Sequence, residues 1–599
     1  MKKKVVSLTV GLLLLVMTVT GCGKGAAEPD ETAKAAQEKT AEATQTVQKE
    51  TEKATQNEQK ETEETTQAVV KEAEETTQTG IPEQVPVILK TNRTDIFNEE
   101  VGASEAEEQY VEILLDEETE KKYPEMAEAL KRYNAEEAAA AKETLEGLCR
   151  DYDDMKETGA LAYQELVMSD LCEGTVLRAD SNVISVFREH SSYWGGVHGM
   201  YAYSGVSFDT ASGRELTIAD VVADMDAFFG LVNDKMKSQY ADIYEYLSDV
   251  EEYLAGIDPA DNQAIAWSID SEGVNVYFNP YTLGAYVMGA QIVSIYFDEA
   301  PGIFEERYMM VPETYVIPMN QNIPRCVDTD GDGERELVEI MYEPVEYAGE
   351  YSGQYDWQIT AGDRSVIVPD SCYSEKSYLV RANDQYYLYI FECSDNDYRL
   401  LATVDFKNMV YDQDKTINAG TGMIAYDWRE TEDGYASWDM GYGFTDPENF
   451  ELETRLDMLS TITGKRAYHV GRDGYPVSND EWYQINGGIV LQSKQDVVCD
   501  QVDKNGRKTA ETTLGKNTYV ILVRTDGETW VDVQEIDESE IVKEEYGEEY
   551  GDLCMMYVED AKPDYDRAIY RISVNCMEYP RTVNGIEEDQ VFSGIMYAG

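Results

Sequence analysis

Carboxylates crowd the twelve residues from Asp328 to Glu339, at the spacing of a loop that wraps a hard cation. Asp328, Asp330, Asp332, Glu336 and Glu339 stand at positions one, three, five, nine and twelve, with Gly333 at six and Glu334 at seven. Oxygen ligands at alternate positions surround one Ca²⁺, and a glycine at position six permits the sharp turn that gathers them. Like charges at this density repel one another unless a cation sits among them. The expected cofactor is therefore a calcium ion that stiffens the surrounding strands rather than activating water. The competing reading is a solvated acidic turn without metal.

Other chemistry is sparse. The chain has three histidines, His190, His198 and His469. In Tyr193-Trp194-Gly195-Gly196-Val197-His198-Gly199 the glycines supply backbone freedom for a bulge or close approach. His198 is expected to cap the neighbouring strand. A metal-binding His198 is the sharper alternative, but no cysteine lies close and His190 is its only near histidine in sequence. Trp194, His198, Tyr281 and Tyr286 are the candidate ligand-binding residues. Tyr281 and Tyr286 either line a sugar or peptide groove or belong to the core. With 118 acidic residues, no catalytic pair can be singled out, and the chain reads as a non-enzyme.

Cys22 is the remaining reactive group. Lys2 to Lys4 precede an apolar stretch from Val5 to Val19, and small residues lead into Cys22. That order is a secretory signal, too short for a membrane span. Val19-Thr20-Gly21-Cys22 resembles a bacterial lipobox, which implies removal of residues 1–21 and lipidation of Cys22. Several acyl chains hold a protein durably, since each buried methylene contributes about 0.8 kcal/mol. The expected location is the extracellular face of the cytoplasmic membrane.

The formal net charge is -69. A field of that sign excludes nucleic acid and attracts divalent cations and basic proteins. Eight further cysteines (Cys149, Cys172, Cys326, Cys372, Cys393, Cys499, Cys554 and Cys576) allow either disulfides or free thiols, and no spacing among them suits zinc.

These groups must be positioned by several elements. Residues 22–86 form a polar stalk in which Thr44-Gln45, Thr55-Gln56, Thr66-Gln67 and Thr77-Gln78 recur in register. Without an apolar seam, that period gives a disordered or single-helix stalk rather than a coiled coil. The expected fold is multidomain: an α+β domain over 87–305, then mostly β modules over 306–470 and 471–599. Periodicity predicts helix over 107–152, strands over 173–210, helices over 218–255, and strands over 264–278 and 291–297. Beyond Tyr308, short runs rich in Tyr, Val and Ile predict strands, with one helix at 447–461. Residues 483–534 hold a strand, the turn Asp526-Gly527 and a second strand, read either as the end of an SH3-like barrel or as a generic hairpin.

Two resemblances add to this. The segment Tyr193–Gly199, followed by Ser207-Phe208-Asp209-Thr210-Ala211-Ser212-Gly213 and the run to Asp220, resembles the extracellular domain of RsiV-type anti-sigma factors. The same domain stands at the front of PdaC-type peptidoglycan deacetylases. Gly273 to Tyr281, then Gly284-Ala285-Tyr286 and Gly289, agree with that family's second half. The resemblance covers about residues 87–305 and implies a binding or sensing module, whose best understood type recognises lysozyme, a basic protein. It implies no catalysis, because a deacetylase domain needs His and Asp ligands and only His469 follows residue 300. The acidic loop resembles those of integrin-like FG-GAP repeats, which implies that Glu336 closes the site and Glu339 points away.

The sequence thus predicts a lipid-anchored bacterial surface protein that binds a cell-wall glycan, peptidoglycan, or a lysozyme-like basic protein. A cell-wall hydrolase using paired carboxylates and an architectural protein without ligand are the alternatives.

Overall fold

The structure, a computed structural model, describes residues 80–597 except 99–102, 160–166, 320–321, 348–349, 373, 394–398, 421–426, 432–433, 442, 546–553, 559–562 and 577. Cys22 and the repeat segment before Gly80 lie outside the described residues. The described part is mostly β, with an α+β region at its start, and no described helix is long and apolar enough to cross a membrane.

The α+β region opens with β1 (Ile88–Asn98) and β2 (Ala103–Leu114), then α1 (Glu117–Lys122) and α2 (Pro124–Glu157). Three strands follow: β3 (Met168–Ala179), β4 (Val183–Tyr193) and β5 (Met200–Asp209). Strand β2 pairs parallel with β3, and the helices form the crossover that this geometry requires. Helix α2 contains no valine or isoleucine and starts with Pro124 at its first position, where a missing N–H costs nothing. It buries Met126, Ala129, Leu130, Asn134, Ala141 and Leu148, a stripe at helical spacing, against β2 and β3. Where β3 diverges, the buried Asn134 amide replaces it, accepting from Ile113 N and donating to Ile113 O at 2.9 Å each.

The predicted helix over 107–152 is thus corrected at its start. Glu107–Leu114 is strand, because Val111 and Ile113 alternate inward and every position from Glu107 to Leu114 has a partner on β1. The predicted strands over 173–210 are β3 to β5.

Next come α3 (Ile218–Val221), α4 (Met225–Gln239) and α5 (Val250–Ala255), then a three-stranded meander of β6 (Ala266–Ile269), β7 (Gly273–Phe278) and β8 (Gln291–Tyr296). Phe228, Val232 and Met236 of α4 pack on Trp267, Ile269, Val274, Val276, Val293 and Ile295. Every residue of β7 and β8 is buried, and the polar Asn275 and Ser294 among them are satisfied by a hydrogen bond from the Ser294 hydroxyl to the Asn275 side-chain oxygen at 2.6 Å. At Gly205 on β5 an added Cβ would lie 2.1 Å from the Trp267 carbonyl oxygen, so the two sheets meet backbone to backbone.

The β-rich part continues through β9 (Tyr315–Pro318), β10 (Arg325–Val327), β11 (Glu336–Tyr347), β12 (Glu350–Ala361), β13 (Arg364–Cys372), β14 (Ser374–Ala382), β15 (Gln385–Cys393), β16 (Arg399–Asp405) and β17 (Val410–Tyr411). The sheet β10-β11-β12-β13 and the sheet β17-β16-β15-β14-β9 share a core of Trp357, Ile359, Leu379, Leu388, Ile390 and Val404. Two later strands, β18 (Asp427–Thr431) and β19 (Gly434–Gly441), leave this region and complete the first sheet, whose order is β18-β19-β1-β2-β3-β4-β5.

The predicted helix over 447–461 is a strand, Phe450–Asp457, paired with Thr461–Val470. Its buried Phe450, Leu452 and Thr454 alternate with more exposed residues, a period of two that the acidic residues between them mask. The hairpin around Asp526-Gly527 is present as Tyr519–Thr525 and Trp530–Glu535. Residues 483–534 do not close on themselves, because Ile569–Asn575 lies between Trp530–Glu535 and Val497–Val502. Five of the cysteines, Cys149, Cys172, Cys326, Cys499 and Cys576, are free thiols. The side chains of the other three predicted candidates lie outside the described residues.

Candidate functional site

The β4–β5 turn and the corner after β7 meet in an exposed aromatic tip. Tyr193 donates to Gly196 O at 2.8 Å. Gly195 has φ 77°, and an added Cβ there would lie 2.5 Å from Met155 Sδ on α2. Glycine is therefore required at this point, where the turn passes against the helix. Across from it, Asn279 clamps the corner to β5, accepting from Tyr203 N at 2.7 Å and donating to Tyr203 O at 2.9 Å.

Three of the four predicted ligand-binding residues converge here. The His198 ring stacks on Tyr286 with centroids 4.2 Å apart and planes 22° apart, and Tyr281 lies 5.8 Å beyond. His198 Nδ1 donates to Gly199 O at 2.8 Å, so its contact is with its own turn rather than with a neighbouring strand. Tyr281 is 57% exposed and held at φ 71°. A bulky residue in the left-handed region is a costly outlier, and such strain concentrates at functional sites. Val197 and Val287 are almost fully exposed beside the rings. Tyr201, which sequence reasoning missed, supports the stack from below at 6.0 Å from Tyr286, and its hydroxyl accepts from Ala290 N at 3.0 Å. Its only sequence signal is its alternation with Tyr203 on β5.

Trp194 is not part of the tip. Its ring lies against Gly147 of α2, where an added Cβ would meet it at 3.3 Å. Asp170 stands directly opposite Glu108 in the β2–β3 register. Glu108 is buried, and desolvation first, then the charges of Asp170 and Glu137, push its carboxyl up to about 8. Burial raises Asp170 as well. Arg188 of β4 is committed to Glu137 and to Tyr133 Oη at 2.8 Å. Burial, then Arg188, pushes His190 down to about 4.

In the acidic loop, the carboxylates of Asp328, Asp330 and Asp332 offer oxygens within 4.8 Å of one another. Asp328 accepts from Gly331 N at 2.7 Å, Asp332 N at 3.1 Å and Gly333 N at 3.0 Å. The other three predicted ligands are elsewhere. Glu334 is exposed, and Glu339 lies on β11 opposite Thr360. Glu336 accepts from Thr329 N at 2.8 Å and from the Thr329 hydroxyl. Arg364, which lies outside the loop in sequence, stands 3.7 Å from Asp330 and 3.9 Å from Glu336. The three aspartates could hold a metal ion, while Arg364 supplies some of the positive charge that the sequence argument assigned to the metal.

Comparison with known proteins places one part of the chain in a family. Residues 218–298, from α3 to just past β8, match the family described as "Protein of unknown function (DUF3298)". No curated protein matches the chain. Among solved structures, a DUF3298 family member from Bacteroides fragilis NCTC 9343 is 12% identical, with 38% of this chain and 98% of that chain covered and a TM-score of 0.29. A DUF3298 family protein from Pseudomonas aeruginosa PAO1 is 14% identical, with 39% and 99% covered and a TM-score of 0.27. The chain therefore carries, at residues 218–298, a DUF3298 domain, whose function is unknown.

Proposed function

We propose that this is a bacterial surface lipoprotein, anchored through Cys22, whose α+β region binds a cell-wall glycan through the aromatic tip. The observation that carries this reading is the row His198, Tyr286 and Tyr281, in which the two outer rings are exposed, Tyr286 is half-buried between them, and Tyr281 is held at φ 71°. Aromatic faces stack on the apolar faces of sugar rings, and a ring fixed in place before binding loses little entropy on contact. The resemblance of Tyr193–Gly199 and Gly273–Gly289 to the RsiV and PdaC extracellular domain supports the same class. The net charge of -69 favours a basic protein such as lysozyme as a second partner.

A hydrolase needs two carboxylates open to substrate. The pair brought together by the strand register, Glu108 and Asp170, lies against α2 with Glu108 buried, which favours binding over hydrolysis. An architectural protein without ligand has no need of a strained, exposed tyrosine. In this reading Asp328, Asp330 and Asp332 hold a structural calcium ion at the start of β11.

Calorimetry of the mature chain with peptidoglycan fragments, and separately with lysozyme, tests the proposal. Binding heat that disappears in Tyr281→Ala and Tyr286→Ala is expected for the fragments. No heat with either probe overturns it. Labelling cells with an alkyne fatty acid is expected to tag the wild type and not Cys22→Ser.

A further inference from the structure

The two most exposed of the described valine, leucine and isoleucine side chains both stand at the tip. Val197 is 100% exposed and Val287 89%. Each is the chain neighbour of a stacked ring, Val197 preceding His198 and Val287 following Tyr286. Their backbones are held in place. Tyr193 bonds across the first turn to Gly196 O. The second is the short 3₁₀ turn Tyr286–Met288, closed by Met288 N on Ala285 O at 2.9 Å and Gly289 N on Tyr286 O at 3.0 Å. A lone aliphatic side chain in water is ordinary, but two at apices joined by a ring stack form an apolar patch of the kind that marks an interaction site. Stacking on sugars uses the rings and leaves the valines without a role.

The ground beside the patch is acidic. The corner that carries Tyr281 and Tyr286 also holds the segment leading into α5: Ser248 N donates to Leu283 O at 2.6 Å, and Leu247 lies 3.3 Å from where a Cβ on Gly284 would be. That segment exposes Tyr246 together with Asp242, Glu245, Asp249 and, at the start of α5, Glu251. No lysine or arginine occurs from Ser238 to Glu306. The preceding cation, Lys237, lies 5.9 Å over the Tyr244 ring and 3.9 Å from Asp234. On the other side of the tip, Arg188 is bonded to Glu137 and Tyr133, and Arg150 lies beside Gly147 of α2.

We propose that the tip is a docking site for a cationic amphipathic peptide segment. Its aliphatic side chains cover Val197, Val287 and the ring row, while its lysines or arginines face Asp242, Glu245, Asp249 and Glu251. The inference rests on the tip being the binding surface and names the class of basic partner that it takes. Charge complementarity selects this occupant over two others. An anionic lipid surface is repelled by the carboxylates. A second copy of the chain, docked by the same patch, brings like acids face to face.

The test titrates the full mature chain by calorimetry with an amphipathic helical peptide of leucine and lysine, about twenty residues long. Wild type is expected to bind it, with affinity falling as salt is raised. Val197→Ser and Val287→Ser change side chains that stand in solvent, so both are expected to keep the wild-type circular dichroism. Each is expected to weaken binding about tenfold. Asp242→Asn combined with Glu245→Gln is expected to weaken it about threefold or more and to flatten its dependence on salt. An all-lysine peptide of the same length is expected to bind at least about tenfold more weakly than the amphipathic one. No heat with the leucine–lysine peptide, equal binding of the all-lysine peptide, or undiminished binding in both valine variants overturns the proposal.

Other occupants give other results. Heat from phosphatidylcholine vesicles that Val287→Ser abolishes assigns the patch to a lipid surface and overturns the proposal. A dimer in sedimentation that Val287→Ser dissolves assigns it to a second copy and overturns it likewise. A tetramer of N-acetylglucosamine, titrated into the same chain, separates this inference from the glycan reading. Tetramer heat without peptide heat overturns peptide docking and leaves the glycan reading standing. Peptide heat without tetramer heat supports docking and removes the glycan reading.

Discussion

Arg335 Nη2 lies 2.7 Å from the Glu272 carboxylate and 2.8 Å from that of Asp298, so a side chain from the acidic loop is tied to both ends of the β7–β8 hairpin. Glu272 also accepts from the hydroxyls of Tyr315 and Tyr386, and all three partners come from the β-rich part. Arg335→Ala leaves a largely buried carboxylate without its cation, which costs about 3 kcal/mol. The urea midpoint is expected to fall accordingly; an unchanged midpoint would show that the two tyrosines suffice.

Glu108 gives stability a dependence on pH. Its folded pKa, about 8, is above the ordinary carboxyl value of 4.5. Its contribution is therefore whole below pH 4.5, declines as pH rises, and is lost above about 8. Glu108→Gln is expected to be more stable than wild type at pH 9 by about 3 kcal/mol, after allowance for water entering the site. At pH 4 the two are expected to unfold together. Thermal denaturation at both pH values decides it.

Two glycines make a contrasting pair. Gly205→Ala places a methyl 2.1 Å from the Trp267 carbonyl oxygen and must part β5 from β6, at about 3 kcal/mol. Gly230 lies within α4 with nothing within 4 Å of an added Cβ. Gly230→Ala is expected to stabilise by about 0.7 kcal/mol. Equal effects in calorimetric unfolding would contradict the packing described.

Tyr281→Gly separates stability from binding. Removing a tyrosine from φ 71° relieves strain and is expected to raise stability by about 1 kcal/mol. Affinity for peptidoglycan fragments is expected to fall, because the outermost ring of the row is gone. A variant that is both less stable and fully competent to bind would remove the role given to this residue.

Calcium is expected to raise the melting temperature. At one hundred times its dissociation constant, a ligand bound only by the folded state adds about 2.7 kcal/mol. Asp330→Asn is expected to weaken the response and Glu339→Gln to leave it intact, since Glu339 lies away from the three aspartates. No shift in wild type at millimolar calcium would leave the loop a turn neutralised by Arg364.

What the sequence could disclose depended on whether the relevant force was local. Asp328, Asp330 and Asp332 converge as their spacing predicts, because a short turn with glycines allows little else. Glu336 is drawn off by Thr329 and by Arg364 of β13, a residue that only β-strand pairing brings near. At the tip, Tyr281, Tyr286 and His198 were recoverable from motif resemblance, whereas Tyr201 and the displacement of Trp194 onto Gly147 depend on where α2 lies. The strands Ala103–Leu114 and Phe450–Asp457 were hidden by glutamates, whose helical preference is overridden once β1 and Thr461–Val470 supply partners.

The pairing of Leu89 with Gly441 has a temporal side. A ribosome releases β1 long before β19 exists, so the nascent first sheet waits with a bare edge while hundreds of later residues are made. A truncated chain ending anywhere before that hairpin would leave the edge open for good, and its tendency to stick to other chains would then reflect the missing hairpin rather than any property of the tip.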